Sequence, residues 1–97
     1  MAIVTVISAT KNAVSGATTQ FTTTSPFVLY GDDLGWDTPV RLLRLGPSGG
    51  YRDATNEKGV IEVKDYPNMV YIDTPGTFRL IKPLTPIAAS VGYEELP

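Results

Sequence analysis

Protons are moved, metals held and electrophiles attacked by a short list of side chains, and this 97-residue chain lacks the commonest of them. It contains neither cysteine nor histidine. Without cysteine there are no thiol nucleophiles, disulfides, zinc knuckles or iron–sulfur clusters. Without histidine the usual general base and metal ligand are gone, together with every Ser-His-Asp arrangement. Asp32, Asp33 and Asp37 share one loop, and three carboxylates are the raw material of a calcium site. Their order, D-D-x-x-x-D, lacks the alternating ligand spacing of an EF-hand, and no bidentate Glu follows. Asp and Gly are also what turns are made of, so the loop reads as turn chemistry. No Gly-x-Gly occurs in a strand–turn–helix setting, so no nucleotide-binding loop is expected. The expectation is a protein that is not an enzyme and uses no cofactor or metal.

The residues left are suited to holding a partner. Trp36, the single tryptophan, lies between Gly35 and Asp37. In that loop it either folds back over one end of the core or stands exposed as an interface anchor or sugar-stacking platform. Arg41, Arg44, Arg52 and Arg79 all fall on or beside expected strands. Arg41 and Arg44 are three apart and so point to opposite faces of a strand, one of them toward the core or a subunit contact. The bland account is stem packing with the head in water; the functional one is a charge-assisted contact with a neighbouring chain. At the N-terminus, Ile3, Val4 and Val6 belong to a β-branched run able to pair with a foreign sheet edge. The interface candidates are therefore Ile3, Val4, Val6, Trp36, Arg41 and Arg44.

Such residues need a scaffold, and its class is legible in the patterning. Apolar residues make up 42 % of the chain and the net charge is −2. That is enough for one core, with no electrostatic footprint for nucleic acid or anionic lipid. No stretch approaches the roughly 18 apolar residues of a membrane helix. The N-terminus lacks the positive n-region and long apolar run of a signal peptide, so a soluble protein made in a cytoplasm is expected. Residues 3–7 are β-branched throughout, and Val40–Leu45 and residues 51–55 flank the Gly46-Pro-Ser-Gly-Gly turn as two arms of a hairpin. Residues 18–24, with five threonines, read as a polar, solvated edge strand. Pro75-Gly76 suits the centre of a type II turn, with Gly76 at positive φ. About eight short strands, separated by turn signals every eight to twelve residues, predict an all-β fold. It is a single antiparallel β-sandwich, Ig-like or jelly-roll-like, spanning residues 1–97, with residues 1–10 as an N-terminal arm or strand.

The run Ile72-Asp-Thr-Pro-Gly-Thr-Phe-Arg-Leu-Ile-Lys82, followed by Ser90-Val-Gly-Tyr93, resembles the ending of many small phage structural proteins. Those chains carry a Pro-Gly-Thr-aromatic-Arg stretch in the penultimate strand and a Val-Gly-aromatic stretch in the last. The likeness extends in layout over residues 17–94 and in identity over about fifteen positions. Phage proteins of this size are commonly capsid decoration (cement) proteins, less often tail or head-fibre components. The resemblance thus implies a virion protein, assembled in the host cytoplasm. It would bind the major capsid protein as a homo-oligomer, with a trimer favoured, and stabilise the particle without touching nucleic acid or membrane. The alternative class is a carbohydrate- or surface-binding β-sandwich that uses Trp36 and the tyrosines.

Overall fold

The computed structural model describes residues 3–97, so the first two positions of the expected N-terminal arm or strand lie outside the described residues. The β-branched run forms β1 (Val4–Thr10), and a 3-10 turn (Gly16–Thr18) follows. Next come β2 (Phe21–Thr22), β3 (Phe27–Asp32), β4 (Val40–Leu45), β5 (Tyr51–Asp53), β6 (Thr55–Asn56) and β7 (Gly59–Val60). The chain closes with β8 (Glu62–Val63), β9 (Met69–Ile72), β10 (Thr77–Ile81) and β11 (Ala89–Glu95). One large sheet has the order β1-β11-β3-β9, the other β2-β10-β4-β5 with β8 also on β4, and β6 and β7 pair as a separate two-stranded ribbon; every pairing is antiparallel. The expected all-β antiparallel sandwich is what the chain forms.

Period-two alternation decides which side chains meet between the sheets. Phe27 and Leu29 of β3, with Val91 and Tyr93 of β11, face Val40 and Leu42 of β4 and Phe78 and Leu80 of β10, all buried. Phe21, Phe27, Phe78 and Tyr93 make one ring cluster. Phe21 stacks on Tyr93 at 4.5 Å between centroids, and Phe27 meets Phe78 edge-on at 5.1 Å. Burying each such ring contributes roughly 1.5–3 kcal/mol. Val4–Thr10 is a member of the first sheet and not a free arm. Ile7 is in the core, Val6 packs against it, and the register with β11 slips twice, between Thr5 and Ile7 and between Ile7 and Thr10. Such irregularities bend an edge strand and blunt it toward further pairing.

Eleven strands replace the expected eight or so because the hairpin's second arm is broken at Ala54 and the stretch after the next turn is broken at Ile61. Ala54 and Ile61 turn inward, and β4 changes partner around Leu42. The Leu42 carbonyl accepts the Ala54 N–H at 2.8 Å, and the Leu42 N–H donates to the Ile61 carbonyl at 3.2 Å. The turns at Gly49 (φ 89°) and Gly59 (φ 116°) use left-handed glycines. Gly76 does not: it lies outside the positive-φ set, so the expected type II turn at Pro75-Gly76 is corrected. Its backbone is held by Thr23, whose N–H donates to the Gly76 carbonyl at 2.8 Å and whose hydroxyl accepts the Gly76 N–H at 3.2 Å.

The threonine run also departs from a solvated strand. Only Phe21–Thr22 forms a ladder with β10, while Thr19 and Thr23 are buried. Continuing the register of Phe21 opposite Phe78 sets Thr19 opposite Leu80 and Thr23 opposite Gly76. There the Thr19 hydroxyl accepts the Leu80 N–H at 2.8 Å and donates to the Leu80 carbonyl at 2.7 Å. One side chain thus does for Leu80 what a neighbouring strand would do. A second internal device is Lys82, only 1 % exposed. Its ammonium donates to the carbonyls of Asn12 (2.9 Å) and Pro83 (3.0 Å) and to the Thr85 hydroxyl (3.1 Å), tying two loops together. Burial pushes its pKa below the ordinary lysine value. All three of its protons are taken up by these acceptors, so it reads as a structural clamp.

Candidate interaction surface

The strand registers give the sandwich two distinct ends. At one of them lie Thr10, Asp32, Val40, Val63, Met69, Ile81 and Ala89, the residues at which strands stop or start. The crossings that join β3 to β4, β8 to β9 and β10 to β11 are made there, whereas β9 crosses to β10 at the other end. Their loops carry the most exposed large apolar side chains among the described residues: Tyr66 (86 %), Trp36 (75 %), Leu84 (70 %) and Ile87 (60 %).

The β3–β4 loop illustrates this. Asp33 takes a left-handed conformation (φ 64°), which Asp tolerates better than most residues. The turn drives Leu34 into the core beside Gly31, where an added Cβ would strike Leu34 and Val63. The Thr38 hydroxyl then accepts the Gly35 N–H at 2.7 Å and fixes the tip. Leu34 is therefore the residue that closes this end of the core, and Trp36 is left outside. Around the apolar residues, Asp32, Asp33, Asp37 and Asp65 are exposed, against exposed Lys11 and half-buried Lys64. Among the described residues no three or more acidic, His or Cys groups come together as a metal site. The loops at this end thus carry exposed apolar side chains together with four exposed aspartates, a composition suited to a partner that is partly apolar and basic.

The six expected interface residues do not converge. Ile3 and Val4 are exposed near the opposite end, on the outer edge of the first sheet, while Val6 packs against the core. Trp36 alone joins the loop end. Arg41 and Arg44 do point to opposite faces of β4. Arg41 pairs with Asp53 at 3.2 Å on the outer face. Arg44 shares the inner parity of Val40 and Leu42, and its guanidinium lies 5.8 Å from the Phe78 ring centroid at the open rim of the core. Arg79 is stacked on Tyr51 at 3.9 Å, with Gln20 accepting from both the Arg79 guanidinium and the Tyr51 hydroxyl. Tyr66, Leu84 and Ile87 are the functional candidates that sequence reading passed over. The available signal was their place beside Pro67, Pro83 and Pro86, where no strand can continue to bury them.

Elsewhere, the carboxylates of Glu94 and Glu95 are engaged within the fold. Burial, followed by a hydrogen bond to the Glu94 carboxylate at 3.1 Å, raises the Tyr30 phenol above its ordinary value. Glu95 accepts the Thr24 N–H at 2.6 Å and the Ser25 N–H at 3.2 Å, which holds its carboxyl below the ordinary value. No family model, curated protein or solved structure matches this chain.

Proposed function

We propose that the protein is a non-catalytic decoration (cement) protein of a phage capsid. Its loop end docks on the major capsid protein, and copies associate as trimers at the particle surface. The observation that carries the docking role is the gathering of Trp36, Tyr66, Leu84 and Ile87 at one end of an otherwise well-packed sandwich. Aromatic and aliphatic groups held out in water by rigid loops favour a covering partner. The phage class is supported by the resemblance of Ile72–Lys82 and Ser90–Tyr93 to phage structural chains, and a cysteine-free design suits assembly in a reducing cytoplasm. Many identical contacts of modest strength serve a decoration protein well, because neighbouring copies share the load.

The test mixes purified protein with mature phage capsids lacking it and counts bound copies by electron microscopy. Saturable binding at a symmetry-defined number of sites is expected, with a gain in capsid stability. The Trp36→Ala/Tyr66→Ala double variant should bind at least about thirtyfold more weakly while keeping its fold, since two exposed anchors of this kind carry a hot-spot share of the affinity. A second reading, a carbohydrate-binding module, draws on the same Trp36 and Tyr66 with exposed aspartates beside them. Specific retention on a glycan surface, with no capsid binding, would move the assignment there.

A further inference from the structure

We propose that the open seam between β9 and the β5–β8 side of the second sheet is a second docking site. Its occupant is an extended segment of a partner polypeptide that carries an acidic side chain. The carboxylate lies between Arg44 and Arg52, and the segment's backbone adds to the free edge of β9. The proposal does not depend on the partner being a capsid.

The seam is a cavity of about 680 Å³, open to solvent, with Ala54, Ile61, Ile72 and Phe78 among its walls. Arg44 and Arg52 both line it and are direct cross-strand partners on β4 and β5. Like charges set opposite each other in an antiparallel pair repel. Inside the protein the pair is poorly compensated. Arg44 has the Phe78 ring and a long 3.5 Å bond to the Pro75 carbonyl. Arg52, among the described residues, has no ion pair and no hydrogen bond. Two carboxylates line the same cavity: Asp53 is paired with Arg41 on the outer face, and Asp73 accepts the Thr74 hydroxyl, keeps its charge and, among the described residues, makes no ion pair with either arginine. A carboxylate placed between the two guanidiniums converts their repulsion into charge-assisted hydrogen bonds.

The backbone beside the cavity selects a polypeptide over a small anion. Among the described residues, β9 pairs only with β3, in unbroken register from Met69 to Ile72, and makes no other backbone hydrogen bond there. Its outward N–H and C=O groups are a template for an added strand. The opposite edge of the same sheet, β1, is disqualified by its two register slips. Tyr71 of β9 lines both this cavity and an adjoining groove of about 440 Å³ that contains Lys58 and Met69. The accessible track therefore continues along the edge strand, as an extended segment requires.

The test titrates isotope-labelled full-length protein, followed by amide NMR, with three probes. These are acetyl-Thr-Val-Thr-Glu-Thr-Val-Thr-amide, its Gln counterpart, and sodium acetate. Saturable shifts are expected on the Met69–Ile72 amides and on Arg44 and Arg52. The Glu peptide should bind about tenfold tighter than the Gln peptide, the worth of one hydrogen bond to a charged group. Arg52→Gln, at an exposed position that leaves the fold intact, should abolish that preference, and Arg52→Lys should keep part of it. Equal affinities for the two peptides, absence of saturation, or shifts away from β9 would each overturn the proposal. So would acetate acting on the arginines while neither peptide moves β9, because that outcome describes a small-anion site only.

Discussion

Replacing Thr19 by Val tests whether a hydroxyl group can stand in for a strand. The substitution changes side-chain shape little and keeps the β-branch, but it removes the one atom that both accepts the Leu80 N–H and donates to the Leu80 carbonyl. Thr19 is 2 % exposed, so water cannot take over. Each buried polar group left without a partner costs about 1–3 kcal/mol, and two are orphaned here. Allowing for some relaxation of the 3-10 turn, the loss of stability should be about 3 kcal/mol. That is a large share of the roughly 5–15 kcal/mol that holds a domain of this size together. It corresponds to a fall in Tm of roughly 12–24 °C. Thr19→Ser keeps the hydroxyl and should cost less than about 1.5 kcal/mol. The assay is urea unfolding followed by far-ultraviolet circular dichroism, because Trp36 is too exposed to report on the core. A Thr19→Val midpoint within about 0.5 kcal/mol of wild type would refute the argument, as would Thr19→Ser being the worse of the two.

Three further outcomes follow from local contacts. Glu95 has a folded-state carboxyl below the ordinary value of 4.5 because it accepts the Thr24 and Ser25 N–H groups. Its stabilisation is therefore complete above the ordinary value and is lost as pH falls through the folded one. The stability gap between wild type and Glu95→Gln should be widest above about pH 6 and close progressively under acid; a gap that does not change with pH would contradict this. Gly92→Ala should destabilise by roughly 1–3 kcal/mol, because the new Cβ would sit 2.6 Å from the Val4 carbonyl oxygen of β1. Gly76→Ala, whose nearest neighbour is the Arg44 guanidinium at 3.5 Å, should be close to neutral in the same chemical denaturation series.

What could be read in advance divides by range along the chain. Val40–Leu45 and its partner arm were visible because a five-residue Gly-rich turn, Gly46-Pro-Ser-Gly-Gly, joins two short stretches of strand length, all of it local. The opposite facing of Arg41 and Arg44 followed from strand parity alone. Thr19 and Lys82 were not legible, since the one depends on register with Leu80 and the other on carbonyls of Asn12 and Pro83 arriving from separate loops. Gly76 shows how a local rule loses: a Pro-Gly pair favours a type II turn, but two bonds to Thr23, distant in sequence, fix its backbone otherwise. At the candidate surface, Trp36 was visible as a rare residue in a loop. Tyr66, Leu84 and Ile87 acquire meaning only when the topology brings their loops to one end.

The same topology sends the chain ends away from those loops. Val4 pairs with Tyr93, and Glu95 pairs with Phe27, so Ile3 and the residues after Glu95 emerge at the pole opposite Trp36 and Tyr66. A reporter or enzyme fused beyond Glu95 would hang from the far pole, with the loops around Trp36 and Tyr66 unobstructed. If the loop end sits on a particle, whatever is fused to the chain faces outward into solution. On that premise the two poles would serve different purposes, one for attachment and one for display.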